Sequence, residues 1–219
     1  MDFKSLLAFL KNLEKNNTKE WFDENRKTYE AIRKEWLSFT ANAIELAGKF
    51  DKDVALLEPK SCIFRINRDI RFSKDKSPYK TNFGMSLSKG GKRDDFCGYY
   101  LHVQPGASFI AGGSYMPMPE KLAAIRQEID YNAKAFVDIV THKTFKNSFG
   151  TLTGETLQRP PKGYEADNPM IQFIKHKSFI AEHKLSDKEL LDPNFSKKMV
   201  ELFKAMHPLN EFLYRAMEG

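Results

Sequence analysis

The sequence predicts an α+β protein in which a central antiparallel sheet is flanked by N-terminal and C-terminal helices. Apolar residues recur at helical spacing through residues 1–50 and again after residue 119. Between these regions, short segments alternate between apolar and polar residues or run apolar, and glycine, proline and charged loops separate them. This pattern is typical of antiparallel strands.

The chain of 219 residues is long enough to form one large domain with a substantial core. We expect a single domain over residues 1–219, with a helical part at 1–50 and a sheet core at 60–115. Residues 119–219 should add helices with one or two further strands. The sequence contains no internal repeat and no low-complexity linker that would divide it.

The N-terminal part predicts two helices. Residues 3–13 place apolar side chains at helical spacing, and residues 16–50 predict one long helix with a broad apolar stripe. Asn17, followed three residues later by Glu20, resembles a capping box at the start of that helix.

The C-terminal part predicts further helices. Pro119 suits the first turn of a helix over residues 119–130, and Ser186 with Glu189 forms a second capping-box pattern. A final helix is expected from about residue 195 to 217, where Pro208 should kink or divide it.

Five segments predict strands. They are CIFRINRDIRF at 62–72, TNFGMSLS at 81–88, CGYYLHV at 97–103, ASFIAGGSY at 107–115 and KSFIAEHKL at 177–185. The paired glycines Gly112 and Gly113 favour a tight turn at the end of the fourth segment.

Composition indicates a soluble protein outside the membrane. The apolar fraction of 41% and the charged fraction of 29% are ordinary for a globular chain, and no apolar run approaches the roughly 20 residues that span a bilayer. The N-terminus lacks the features of a signal peptide. Cys62 and Cys97 form neither a disulfide framework nor a metal-binding pair, so the cytoplasm is the simplest expected location.

Positive charge is concentrated in one region of the sequence. The net charge is +6, and residues 60–80 contain seven cations against two anions, a net of +5. A protein that binds a long nucleic-acid duplex usually spreads its basic residues over more of the chain. The local concentration therefore favours a pocket-sized anion or an anionic segment as the partner.

The predicted strands each have one apolar and one polar face, because side chains alternate along a strand. In residues 62–72 the apolar face would hold Cys62, Phe64, Ile66, Ile70 and Phe72, and the polar face Arg65, Asn67, Asp69 and Arg71. In the next two strands the expected inward residues are Thr81, Phe83, Met85, Leu87, Cys97, Tyr99, Leu101 and Val103. The polar faces combine residues that make directional hydrogen bonds, which indicates a binding surface.

Candidate ligand-binding residues follow from these faces and from the basic loop at 73–80. They are Arg65, Asn67, Arg71, Lys74, Lys76, Lys80, Tyr100, His102 and Gln104. We expect structural roles for Arg68, Asp69 and Tyr79, and a solvated loop is an equal alternative for Lys74 and Lys76. His102 and Asp69 are the candidate proton carriers if a reaction occurs, although a structural histidine is as good an interpretation of His102.

Motifs for other chemistries are missing from the sequence. The five histidines show no metal-binding spacing, and neither a dinucleotide fingerprint, a phosphate-binding P-loop nor a hydrolase elbow occurs. We therefore expect no metal and no cofactor. The sequence leaves the oligomeric state open.

Six segments in order along the chain resemble a known family. They are NNTKEWF at 16–22, FRINRDIRFSKDKSPYKTNFG at 64–84, GYYLHV at 98–103, AGGSYMP at 111–117, RPPKGY at 159–164 and NPMIQFIKHKSF at 168–179. They are similar to the bacterial and fungal proteins grouped as domain of unknown function family 2461. The resemblance implies a compact α+β domain and transfers no activity, cofactor or catalytic residue.

Three hypotheses for the function remain. The first is a protein that binds, and in one version turns over, a phosphate-bearing small ligand such as a nucleotide at a basic sheet face. The second is nucleic-acid binding through the basic loop at 73–80. The third is a structural or protein-interaction role in which the arginines pair with acidic groups.

Overall fold

The computed structural model describes residues 1–91 and 97–218, and it confirms the α+β prediction. Ten α-helices and a four-stranded antiparallel sheet form within these residues. The helices are α1 Phe3–Lys15, α2 Lys19–Glu24, α3 Arg26–Ala47, α4 Pro59–Cys62, α5 Pro119–Tyr131, α6 Ala133–Thr141, α7 Lys143–Phe149, α8 Ile171–Ile174, α9 Asp187–Leu190 and α10 Phe195–Glu218. The strands are β1 Phe83–Ser88, β2 Gly98–Val103, β3 Ser108–Ser114 and β4 Phe179–Leu185.

The strands lie in the order β1-β2-β3-β4, and every pair is antiparallel. One face of the sheet, the inner face, packs against α3 and α10. There the ring of Phe83 meets Trp36 of α3 at 5.8 Å, and Tyr99 meets Phe203 of α10 at 4.9 Å between centroids. The inward positions predicted for β1 and β2 are buried as expected, which fixes the identity of the opposite, outer face.

Close packing of α10 on the sheet depends on Gly112. A Cβ atom at this position would lie 2.0 Å from the sulfur of Met206 and 2.9 Å from the Gly98 carbonyl oxygen, so a larger residue would require Met206 and the neighbouring strand to shift. The predicted tight turn at Gly112 and Gly113 is therefore wrong, because both residues belong to β3. The glycine pair serves helix packing and strand geometry rather than chain reversal.

Two helix predictions are corrected by the structure. The long helix expected over residues 16–50 is divided at Asn25 into α2 and α3. Its cap is Thr18, whose hydroxyl accepts from Trp21, because the Asn17 side chain instead bonds the backbone of Tyr79. Pro208 does not divide the final helix, which is continuous from Phe195 to Glu218.

The strand predicted over residues 62–72 is also wrong. Only Ile63 forms a bridge to β1, at Met85, and the chain then leaves the sheet. Ile70 is half-buried, and 94% of Phe72 is exposed, so the two do not extend an apolar strand face. The chain instead closes on itself through backbone hydrogen bonds from Arg68 to Pro78 and from Lys80 to Ile66, at 2.9 and 2.8 Å. We call residues 66–80 the 66–80 loop.

No helix within residues 1–91 and 97–218 is long and apolar enough to cross a membrane. The remaining predicted elements agree with the structure at several points. Pro119 opens α5, Ser186 and Glu189 form the expected capping box of α9, and β4 occupies the fifth predicted strand segment.

Candidate functional site

The outer face of the sheet presents three rows of side chains that cross all four strands. The strand register defines the rows as Ser88, Gly98, Gly113 and Ile180; Ser86, Tyr100, Ala111 and Glu182; and Gly84, His102, Phe109 and Lys184. Gly98 and Gly113 form the centre of the first row, and Ala111 lies beside them in the second. Larger side chains rise around this centre and leave a depression in the sheet surface.

This depression is a groove of about 580 Å³, which we call the outer-face groove. Its floor contains Gly98, Ala111 and Gly113, and its aromatic walls are formed by Phe64, Tyr100, Phe109 and Tyr115. Ile180 and Glu182 close the side at β4. The groove is thus largely apolar, with one carboxylate within its lining.

A glycine beside the groove allows two of its aromatic rings to lie against the sheet. A Cβ atom at Gly84 would lie 2.8 Å from the hydroxyl oxygen of Tyr100 and 3.2 Å from the ring of Phe64. The rings of Phe64 and Tyr100 meet edge to face at 6.0 Å. Gly84 therefore fixes the orientation of the aromatic wall at the β1 side.

Three polar residues predicted for this face lie together in a hydrogen-bonded chain. The Tyr100 hydroxyl lies 3.0 Å from Nδ1 of His102, and Nε2 of His102 lies 3.0 Å from Oε1 of Gln104. Because Oε1 can only accept, Nε2–H donates to it and Nδ1 accepts from Tyr100. The ring of His102 also stacks on Phe109 at 4.7 Å. Both ring nitrogens of His102 therefore have partners.

The protonation states of Tyr100 and His102 follow from their burial. Burial lowers the pKa of His102, and the hydrogen bond to Gln104 offsets only part of that shift. Burial also raises the pKa of Tyr100 to about 12. The imidazole and the phenol are therefore both neutral at pH 7, which agrees with the hydrogen-bond directions.

Positive charge lies at two edges of the outer face. At the β1 edge, the exposed Arg65 follows Phe64, and Lys80 donates to the backbone oxygen of Arg65 at 3.1 Å. The ammonium of Lys80 also lies 5.6 Å from the centre of the Phe64 ring. At the β4 edge, Lys184 is exposed in the row of His102.

The charges of the 66–80 loop are engaged mostly with one another. Arg71 binds Asp69 through two hydrogen bonds of 2.9 and 2.6 Å, and Arg68 pairs with Asp75. The ammonium of Lys76 donates to the backbone oxygen of Ile70 at 3.0 Å. Of the nine predicted ligand-binding residues, Tyr100 lines the groove. The lining in the described part of the chain does not include the other eight, which are Arg65, Asn67, Arg71, Lys74, Lys76, Lys80, His102 and Gln104.

The 66–80 loop is anchored by Tyr79. This residue is buried and stacks on Phe22 with ring centres 4.0 Å apart. The amide of Asn17 brackets it, donating to the Tyr79 carbonyl at 2.9 Å and accepting from the Tyr79 N–H at 3.1 Å. Tyr79 therefore holds the base of the loop against α2.

Sequence reasoning missed a second polar cluster on the helix side of the sheet. There the Tyr99 hydroxyl contacts both Asp51 and His207, each at 2.8 Å. The only local signal is Glu211, four residues after His207 on α10, because Asp51 lies in the loop after α3. Within residues 1–91 and 97–218, no three His, Cys, Asp or Glu side chains come together in a way that could hold a metal ion.

The fold and groove define a class of α+β protein in which helices cover one face of an antiparallel meander and an aromatic groove occupies the other. The chain belongs to the family described as "Conserved hypothetical protein (DUF2461)", whose model matches residues 5–212. The resemblance found in the sequence is thereby confirmed. No curated protein and no solved structure matches the chain.

Proposed function

We propose that the outer-face groove binds a small ligand that combines an aromatic ring with phosphate, such as a nucleotide. The observation that supports this most directly is the combination of an aromatic-walled groove with cationic side chains at its edges. The volume of about 580 Å³ falls within the roughly 300–1,000 Å³ typical of small-molecule sites.

The groove suits a planar ring. Tyr115 is 73% exposed at the rim, and its ring is available to stack on a base above the small residues of the floor. Stacking of a base on an aromatic side chain contributes roughly 1–3 kcal/mol in proteins that bind single strands. The Glu182 carboxylate is a hydrogen-bond acceptor, which suits an exocyclic amino group of the base.

The cations at the β1 edge suit the phosphate. Arg65 follows Phe64 in the chain and offers a planar fork of donors, and the compact charge of Lys80 lies 5.6 Å from the centre of the Phe64 ring at the wall of the groove. Because Glu182 lies at the opposite side, a ligand would place its base toward β4 and its phosphate toward β1. This arrangement avoids bringing phosphate against the carboxylate.

The proposal concerns binding rather than turnover. Both ring nitrogens of His102 already have side-chain partners, and Asp69 is paired with Arg71 in the 66–80 loop. Neither candidate proton carrier is therefore presented to the groove in a form that favours proton transfer.

Calorimetric titration with AMP, ATP, ribose 5-phosphate and inorganic phosphate tests the proposal. We expect AMP and ATP to bind more tightly than ribose 5-phosphate, because only they provide a ring for the aromatic walls. Ala111→Leu should fill the floor and abolish binding, whereas Lys197→Ala, an exposed change on α10, should leave it unchanged. Absence of binding by all four compounds, or equal binding to Ala111→Leu, would contradict the proposal.

Single-stranded nucleic acid is the second candidate ligand. An antiparallel sheet with accessible aromatic side chains is a surface on which RNA-binding domains stack bases, and the 66–80 loop adds exposed cations nearby. Affinity should then rise with oligonucleotide length and fall steeply with salt. Affinity that is the same for a mononucleotide and a ten-nucleotide strand would exclude this alternative.

A structural role for the arginines is the third candidate. The pairs Arg68–Asp75 and Arg71–Asp69 are consistent with it, because they order the 66–80 loop. Arg71 remains largely exposed, however, so the pair is available to solvent and contributes little to stability. This role accounts for the loop and leaves the groove unexplained.

A further inference from the structure

A second groove lies on the helix side of the sheet, between α10, the loop after α3 and the ends of β1 and β2. Its volume is about 510 Å³. Its lining includes the polar residues Asp51, His207, Asn210 and Glu211. We call it the His207 groove.

The orientation of His207 is fixed by Tyr99. The Tyr99 hydroxyl donates its proton to Oδ2 of Asp51 at 2.8 Å, so it can only accept from Nδ1 of His207 at 2.8 Å. Nδ1 therefore holds the ring proton, and Nε2 of the neutral imidazole is an acceptor. Phe50 packs edge to face on the ring at 5.3 Å and limits its rotation.

The charged groups closest to the His207 ring are carboxylates, although Lys52, Lys89 and Arg215 also line the groove and Lys89 pairs with Glu218. Asp51 lies 3.6 Å from Nδ1, and Oε1 of Glu211 on the same helix lies 3.7 Å from Nε2. The interaction with the Asp51 carboxylate raises the pKa of His207 despite partial burial. Burial alone would raise the pKa of Asp51, but the nearby His207 and the hydrogen bond from Tyr99 outweigh it and lower that pKa. An imidazolium formed here is thus compensated by Asp51.

Asn210 gives an independent indication of a ligand. The residue is only 5% exposed and lines the groove, and its Nδ2 donates to the Gly98 carbonyl at 3.1 Å. Its Oδ1 is buried and has no hydrogen-bond partner in the described part of the chain. A buried acceptor without a donor costs roughly 1–3 kcal/mol, so a donor supplied by a ligand would stabilise the protein.

We propose that the His207 groove is a second binding site, for a small hydroxyl- or amino-bearing ligand, and that Nε2 of His207 exchanges a proton with it. Asn210 Oδ1 and the Glu211 carboxylate are acceptors, and so is Nε2 while the imidazole is neutral, so they favour a ligand that supplies donors. A ligand ammonium that gives its proton to Nε2 becomes a neutral amine and leaves an imidazolium beside Asp51, and the reverse transfer restores the neutral ring. The His207 groove adjoins the outer-face groove at Ser88 and Gly98, which line both, and its other polar residues are different.

Nuclear magnetic resonance provides the first test, on the full chain with ¹⁵N-labelled histidine and asparagine. Ethanolamine, glucosamine and glucose are titrated as probes, and at least one should shift the His207 ring nitrogens and the Asn210 side-chain amide together. Titration to about 10 mM covers the roughly micromolar-to-millimolar range of small metabolite sites. If no probe moves either signal by that concentration, the proposal is wrong.

Matched variants on one helix then locate the binding. Glu211→Gln removes a carboxylate of the groove, whereas Glu201→Gln removes an exposed carboxylate outside its lining. We expect roughly tenfold weaker binding of an amino-bearing probe to Glu211→Gln and no change for Glu201→Gln. Equal affinities for both variants would place the probe elsewhere and overturn the assignment.

Tyr99→Phe tests the positioning of the imidazole separately from ligand binding. Without the hydroxyl, Nδ1 loses its partner, and the ring-nitrogen shifts should show a mixture of the two neutral tautomers instead of the Nδ1–H form alone. A merely structural tyrosine would change stability without moving this tautomer signal. An unchanged tautomer in folded Tyr99→Phe would contradict the proposed role of Tyr99.

Discussion

In the 66–80 loop, charged side chains contact each other at the surface, whereas in the outer-face groove aromatic rings surround small residues with only a few charges at the edges. The loop holds most of the local excess of positive charge, but Arg68, Arg71 and Lys76 are engaged with partners inside the loop. The outer-face groove instead provides a concave and largely apolar surface. A dense run of cations in a sequence therefore does not identify the residues that line the neighbouring groove.

The two aromatic residues of the loop give the largest expected contrast. Tyr79→Ala removes a buried ring stacked on Phe22 and should lower the free energy of unfolding by about 3–5 kcal/mol. Phe72→Ala removes a ring that is 94% exposed and should change it by less than about 0.5 kcal/mol. Urea denaturation measures both. Equal losses of unfolding free energy in the two variants would show that Tyr79 and Phe72 are not packed as the structure describes.

Two lysines of the 66–80 loop, Lys80 and Lys76, should differ in their effect on ligand binding to the outer-face groove. Lys80→Ala should weaken AMP binding by about tenfold, because one charge-assisted contact is lost at the wall beside Phe64. Lys76→Ala should change it by less than about twofold, because the Lys76 ammonium bonds the Ile70 carbonyl and, unlike that of Lys80, does not lie over the Phe64 ring. Calorimetry compares the two variants. A larger effect of Lys76→Ala would move the anion site into the loop.

The contribution of the partly buried Asp51–His207 pair to protein stability should depend on pH, unlike that of the exposed ion pairs in the 66–80 loop. The pKa of His207 is raised in the folded protein, so its contribution to stability is fully present below its unfolded pKa of about 6.5 and is lost as pH rises through the folded pKa. The pKa of Asp51 is lowered, so its contribution is present above its unfolded pKa of about 3.9 and is lost as pH falls through the folded pKa.

Urea denaturation of the wild type and His207→Gln at several pH values checks this expectation. The stability difference between them should be largest between about pH 4 and 6.5 and should shrink toward pH 9. Arg71→Ala serves as the exposed comparison and should give a difference with little dependence on pH over that range. A difference that grows with pH for His207→Gln would mean that the imidazole is neutral in the folded state.

The smallest expected effect belongs to the exposed pair Arg71–Asp69. Arg71→Ala should change the free energy of unfolding by less than about 0.5 kcal/mol, because solvent screens an ion pair that is largely exposed. Affinity for AMP should stay within about twofold of the wild type. A tenfold loss of affinity would indicate that Arg71 contacts the ligand, so that the 66–80 loop as well as the outer-face groove would take part in binding.

Part of the site could be predicted because strand periodicity is a local property. The alternation in β1 and β2 correctly separated Met85 and Leu101 from Tyr100 and His102, since a two-residue repeat allows only two faces. The same rule failed for residues 62–72, where alternation is present and the strand is absent. Periodicity describes which side chains would share a face and does not tell whether a neighbouring strand is present to pair with.

The sequence by itself determined the fold class, the buried positions of β1 and β2 and the capping box of α9, because each depends on residues close together in the chain. The tertiary structure alone decided that Phe64 and Tyr115 meet across the sheet as walls of one groove. It also brought Asp51 to His207 through Tyr99, three residues from separate parts of the chain. Such contacts depend on how helices pack on the sheet, which local patterns of charge and hydrophobicity do not encode.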